Sequence, residues 1–415
     1  MSEIRALTPD EFEPLARIFA EAYPGFKITT EEERKRFAER ARKLHEEDPT
    51  AQFHGLFRYG KLLGIMCFYD FSMNFHQARV LTGGVGQLAV ALLHKKEHVA
   101  KEMMGYFLRH YRRQGAPLAA LYPFRPDFYR KMGFGYGTKM NQYRIKPAAF
   151  PNGPYKARVR TLTEEDRDAL VACYNRFAGQ THGMMEKTER EIRRLFAAPR
   201  HRIVGCEMDG EIKAYMVFTF EEGESFILND IQVQELVYEN AEALSELSTF
   251  LHSQADQIRH VILNTQDEYF HYLLLDPRND SGRLIPDVYH ETNAQGVGLM
   301  YRVIDVPRIF DLLRERDFGG QTCTLKLTMV DSFLPETDGS TMLRFENGRV
   351  QRIDGGVYDV EIRLDVAEFS SLLVGCIDFF SLVRYGLADI SDPAYLEVVN
   401  HIFAVERKPI CTTSF

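Results

Sequence analysis

The chain has 415 residues, 45% of them hydrophobic and 27% charged, with a net charge of −8. At roughly 100–200 residues per domain that length holds two to four domains, with cores that need no disulfide or metal staple. The composition excludes a disordered or collagenous chain, and the acidic balance excludes a global basic field for nucleic acid, leaving at most a cationic small substrate.

The N-terminal segment is acidic and lacks the apolar stretch of a signal peptide. Apolar runs such as Ile65–Tyr69 are too short to span a membrane. Cys67, Cys173, Cys206, Cys323, Cys376 and Cys411 form no CxxC pair, which points to a reducing, cytoplasmic setting and away from zinc. Tryptophan is absent, so any aromatic pocket is built from the 30 Phe and 20 Tyr.

Ile4–Phe19 is predicted as a short strand leading into a helix capped by Thr8, with Pro9 at N1 and Glu11 at N3. Ala51–Arg58 is a strand, followed by a turn at Gly60 and a second apolar strand. The pattern then recurs. At an offset of 155, Ile4, Arg5, Leu7, Thr8, Leu15 and Phe19 fall on Val159, Arg160, Leu162, Thr163, Leu170 and Tyr174, and Asp166 completes the second capping box. At an offset of 150 the Gly60 turn falls on Gly210, preceded by a strand at His201–Met208. A strand–helix–strand–strand unit therefore occurs twice, with a boundary at the Pro/Gly cluster Pro151–Pro154. The predicted domains are 1–150, 151–300 and 301–415.

The last third alternates differently. A helix is expected at Val306–Arg316, then strands at Thr322–Met329, Ser340–Phe345, Arg349–Ile353 and Val360–Leu364. Helices follow at Val366–Val374 and Asp378–Tyr385, giving an α+β unit on an antiparallel sheet.

The stretch that can carry chemistry is Gly83–Gly137. A strand at Gly86–Ala91 runs through the loop Leu92–Glu97 into a helix at His98–Arg112. A strand at Ala116–Tyr122 and one helical turn at Phe128 follow. A strand feeding a helix N-terminus offers unpaired N–H groups to a phosphate, and Lys95 and Lys96 add charge. The corresponding stretch of the second repeat, Ile231–Asn240, carries Glu235 and Glu239 and no Lys or Arg. It is expected to repel pyrophosphate.

Leu88-Ala-Val90, the loop Leu92–His98 and Tyr129-Arg-Lys-Met-Gly-Phe134 resemble the acetyl-CoA motif of the GNAT superfamily of N-acetyltransferases. The whole chain resembles the narrower Eis (enhanced intracellular survival) acetyltransferases. The fold this implies is α/β and α+β: tandem GNAT folds, the second degenerate, followed by a sterol-carrier-protein-like α+β domain. The resemblance implies transfer of the acetyl group of acetyl-CoA to primary amines of a cationic acceptor, aminoglycoside-like or lysine-type, by direct attack in a ternary complex. Leu88, Ala89, Val90, Lys95, Lys96, Glu97, His98 and Val99 would hold acetyl-CoA, with a backbone N–H at or beside Leu88 polarising its carbonyl. Tyr129 would be the general acid. The C-terminal carboxylate of Phe415 would act as the base or position the amine. Tyr23 and Phe26 would wall the acceptor. The resemblance also implies a hexamer.

Leu92 replaces the motif's proline, Lys95 and Lys96 its arginines, and His98 its glycine; a positive φ at His98 would cost energy. The tail is expected to be ordered. It follows an apolar strand at Ile402–Val405, has no charged side chain after Lys408, and ends on an aromatic ring. No metal is expected: the HxxxH spacing of His94 and His98 falls in a loop. No nucleic acid or membrane partner is expected either. The rival readings are a lipid or acyl carrier, with the apolar helix Leu372–Leu382 lining a slot, and a catalytically weak acetyl-CoA-binding scaffold.

Overall fold

A computed structural model of the protein describes residues 2–225 and 228–415. The chain forms two compact units. One holds the chain up to Gly137, Leu299–Lys408 and Ser414–Phe415; the other holds Thr138–Gly298 and Pro409–Thr413.

The first unit opens with β1 (Ser2–Ala6), α1 (Phe12–Ala22), α2 (Glu31–Glu47), β2 (Ala51–Arg58), β3 (Lys61–Phe75) and β4 (Ala78–Val90). It continues through α3 (Val99–Arg113), β5 (Leu118–Leu121), α4 (Pro126–Arg130) and β6 (Gly135–Tyr136). The strands lie in that order in one sheet, with Met300–Val303 inserted between β5 and β6. Strand alternation divides the core. Ile65 and Cys67 face α1 and α2 with Leu15, Phe19, Phe53 and Ala89, whereas Met66 and Phe68 face α3 with Met103 and Phe107.

The second unit repeats the pattern in a seven-stranded sheet that includes Arg202–Met208, Glu211–Ser225, Leu228–Tyr238 and Ile258–Thr265. It also takes in Met140–Ile145, whereas Met300–Val303 returns to the first sheet, so no contiguous cut of the chain separates the two sheets. The repeat extends to side chains. Glu11 accepts from the Thr8 N–H at 2.8 Å and pairs with Arg5 at 2.6 Å; Asp166 accepts from the Thr163 N–H at 2.8 Å and pairs with Arg160 at 2.6 Å. Arg5 holds the Glu11 carboxyl at about 2. The hairpin turns match too: Tyr59-Gly60 have φ of 52° and 73°, Asp209-Gly210 52° and 78°. Two successive positive φ angles suit the twist of a tight hairpin and explain the glycines.

The last third forms a five-stranded sheet built from Cys323–Val330, Gly339–Glu346, Arg349–Ile353, Val360–Asp365 and Ala388–Ile390. Its helix Val366–Val374 is buried at every residue. Gly375, at φ 85°, ends that helix, and Phe379–Arg384 begins another. The expected helix Leu372–Leu382 is therefore broken, and its N-terminal residues Leu372–Val374 are buried in the core. The expected strand at Ile402–Val405 is also corrected. Leu396–Ile402 is a helix whose buried Val399 and Ile402 keep helical spacing, and β-branched residues disguised it. Among the described residues no helix is long and apolar enough to cross a membrane.

One buried ion pair ties this third to the first sheet. Arg302 and Asp331 lie 2.5 Å apart with both side chains wholly buried. Arg302 also donates to the Met132 carbonyl, and Asp331 accepts from the N–H groups of Phe333 and Leu334. Replacing Arg302 by Met leaves a buried carboxylate without its cation, so chemical denaturation should show a loss of about 3–5 kcal/mol.

His54, on β2, is buried and stacked on Phe68 at 4.2 Å, with His110 5.9 Å away. Burial pushes its imidazole down to about 4; the charges of His110 and His45 act the same way, and the Gln52 carbonyl opposes them. The unfolded chain takes up this proton near 6.5 and the folded chain only near 4. Stability is therefore complete above about 6.5 and falls by up to about 3 kcal/mol as pH drops to 4. Urea titrations at pH 7 and pH 4.5 should show a smaller drop for His54→Phe than for the natural chain.

Candidate functional site

The site starts where a sheet comes apart. β4 pairs with β5 only over Thr82–Gly84, ending at Gly84 opposite Ala120. Beyond that point β4 bulges: Gln87 and Leu88 together face the single residue Met66 of β3, and Gln87 takes a φ of +52°. The Tyr23 hydroxyl donates to the Leu88 carbonyl at 2.6 Å. Tyr23 thus props the bulge from the end of α1. Phe26 is 65% exposed and packs its ring edge-on to Phe19 at 5.1 Å.

Phe415 lies against both sides of the split. A methyl group on Gly84 would come within 3.1 Å of its ring, and one on Gly86 within 3.1 Å of its carboxyl carbon. Both glycines are needed for this close approach. The Phe415 ring sits among Phe71 at 4.7 Å, Tyr122 at 5.3 Å and Tyr69 at 5.6 Å. Sequence reasoning missed this aromatic box. Its signal was the continuation of the Ile65, Cys67 alternation to Tyr69 and Phe71 on one face of β3.

Tyr129 sits in α4, 4% exposed, edge-on to Phe124, Phe128 and Phe134. Its hydroxyl has no hydrogen-bond partner among the described residues. Burial, with Tyr23 nearby, raises its pKa well above the usual tyrosine value, so it stays protonated at any working pH.

After β4 the chain enters the loop ahead of α3. Lys96 and His98 both take left-handed φ, 68° and 62°. The cost expected at His98 is therefore incurred, about 1 kcal/mol. Among the described residues no protein acceptor meets the backbone N–H groups of Lys96, Glu97, His98 or Val99. Consecutive free N–H groups at a helix start form a cradle for an anion. Lys95 and Lys96 are exposed beside it and have no ion pair among the described residues. The Glu97 charge is compensated by Arg58 at 3.4 Å and lies 3.1 Å from His94. These residues fit a pyrophosphate.

The second unit corrects one expectation. Glu235 and Glu239 do not form a free acidic loop. Glu235 is buried against Lys187 at 2.5 Å, and Glu239 pairs with Arg176 at 2.7 Å and Lys213 at 3.7 Å. Cations from distant parts of the chain neutralise them. What replaces an anion cradle here is a filled cluster, in which Lys187 also lies 4.3 Å over the Tyr174 ring.

A family model described as an acetyltransferase (GNAT) domain matches residues 3–137, and a second model of the same description matches 183–303. A sterol carrier protein domain model matches 309–412. The chain carries two acetyltransferase (GNAT) domains followed by a sterol carrier protein domain. An uncharacterized N-acetyltransferase of Streptomyces avermitilis is 30% identical over 156 residues, 34% of this chain. The match spans 38% of that relative's length. A solved GCN5-related N-acetyltransferase of Anabaena variabilis superposes over 100% of both chains with a TM-score of 0.83 at 18% identity. Eis1 of Mycobacterium abscessus does so with a TM-score of 0.78 at 20% identity. These two likenesses concern the fold. Two of the matched models are described as acetyltransferase (GNAT) domains, and such domains draw their acetyl group from acetyl-CoA. The split, the bulge and the cradle all lie in the first GNAT domain.

Proposed function

We propose that the first GNAT domain transfers the acetyl group of acetyl-CoA to a primary amine of a cationic acceptor, aminoglycoside-like or lysine-type, as an Eis-like enzyme. The observation that carries this reading is the carboxyl group of Phe415 held at Gly86, where β4 parts from β5.

Acetyl-CoA supplies an activated thioester and a thiolate leaving group. The N–H groups of Lys96–Val99, with Lys95 and Lys96, hold its pyrophosphate. The parted strand at Leu88–Val90 supplies backbone N–H to the thioester carbonyl. Tyr129 holds a proton for the departing thiolate. The Phe415 carboxylate accepts an N–H of the amine and draws in cationic acceptors. Tyr23 and Phe26 flank the acceptor, Tyr23 through its hold on Leu88. The second GNAT domain is a scaffold, its equivalent strand closed by Lys187 and Glu235. A cytoplasmic hexamer follows from the same likeness and is part of the proposal.

The test is release of CoA thiol from acetyl-CoA over a panel of amines that includes aminoglycosides and a lysine peptide. Tight acetyl-CoA binding without turnover on any amine would leave the chain a binding scaffold. Calorimetric heat with a fatty acyl ligand and none with acetyl-CoA would favour the carrier reading instead.

A further inference from the structure

The bulge in β4 holds a polar group without a partner. The Gln87 side-chain oxygen Oε1 is buried and meets no hydrogen-bond donor among the described residues, while its Nε2 donates to the Tyr69 hydroxyl at 3.4 Å. A buried carbonyl left without a donor is destabilising, so its retention calls for a function. Two further observations place it. Gln87 directly follows Gly86, against which the Phe415 carboxyl carbon lies, and the Tyr69 ring packs edge-on to Phe415 at 5.6 Å. Its left-handed φ of 52° is an uncommon backbone state for a residue with a side chain, and the bulge imposes it at this one position of the strand.

We propose that Gln87 accepts one N–H of the acceptor amine beside the Phe415 carboxylate, and so selects primary over secondary amines. The assignment rests on the acetyl-transfer reading. A neutral primary amine has two N–H bonds and one lone pair. Two acceptors take the two N–H groups and leave the lone pair free to attack. An N-methyl amine puts a methyl group against one acceptor and leaves that acceptor buried and unpaired, a strong basis for rejection.

The experiment compares the natural chain with Gln87→Met and Gln87→Glu, on 1,5-diaminopentane and on its N,N′-dimethyl analogue. The expected result is a KM for the primary diamine about tenfold higher in Gln87→Met, with a narrowed preference over the dimethyl analogue. Acetyl-CoA affinity should be unchanged. Gln87→Glu keeps an accepting oxygen and should hold KM within about threefold. An unchanged KM in Gln87→Met overturns the proposal, as does an equal loss in Gln87→Glu. Loss of acetyl-CoA affinity in Gln87→Met overturns it too, by making Gln87 a prop of the bulge. A natural chain that binds acetyl-CoA and acetylates neither amine overturns the parent reading itself.

Discussion

Replacing Tyr129 with Phe should lower kcat for acetyl transfer by about a hundredfold or more, the usual range for loss of a general acid. The affinity for acetyl-CoA should stay within about twofold. The ring is held by Phe124, Phe128 and Phe134, and Phe at position 129 keeps those contacts. The hydroxyl has no hydrogen-bond partner among the described residues to leave unpaired, so the fold should lose little. Burial raises its pKa, which makes Tyr129 a weak acid but a fully protonated one. Proton transfer to a thiolate near ~8.5 is then uphill, so in the proposed role the group would act by donating a hydrogen bond as negative charge builds on sulfur. Steady-state kinetics with CoA thiol detection decide the matter: turnover within a few-fold of the natural chain removes Tyr129 from the acid role.

Adding two residues after Phe415 should lower turnover at least as far. The added peptide bond converts the carboxylate beside Gly86 into a neutral amide and extends the chain at a tightly packed position, where a methyl group on Gly86 would come within 3.1 Å of the Phe415 carboxyl carbon. Phe415→Ala separates the two contributions, because it keeps a carboxylate but loses the ring contacts with Tyr69, Phe71 and Tyr122. Its loss should be smaller, about tenfold, through a less populated position of the carboxylate. If the proposed carboxylate positions the amine rather than taking its proton, the rate should climb with pH toward the acceptor's own pKa. Unchanged turnover in the extended variant would falsify the role of Phe415.

Much of the fold was legible because it was written twice. The Arg5 and Glu11 clamp at Thr8 and its copy at Thr163, and the turns at Gly60 and Gly210, depend on residues a few positions apart. The bulge was not legible, since register is decided by pairing between β3 and β4 and leaves no local mark at Gln87. The neutralisation of Glu235 by Lys187 escaped for the same reason: the partners are 48 residues apart in the chain. The helix Leu396–Ile402 was lost to β-branched residues whose tertiary setting overrode their propensity. In the loop at Lys95–His98 the sequence foresaw the cost of a left-handed His98, and His98 takes that state.

The insertion of Met300–Val303 between β5 and β6 has a consequence for how the protein is made. Until residue 303 has left the ribosome, β5 has an open edge and α4, with Tyr129, lacks the Arg302 contact at Met132. A nascent chain that already contains every residue of the acetyl-CoA motif is therefore still an unfinished sheet with an exposed, aggregation-prone edge. Expression of residues 1–150 alone should give the same unfinished species.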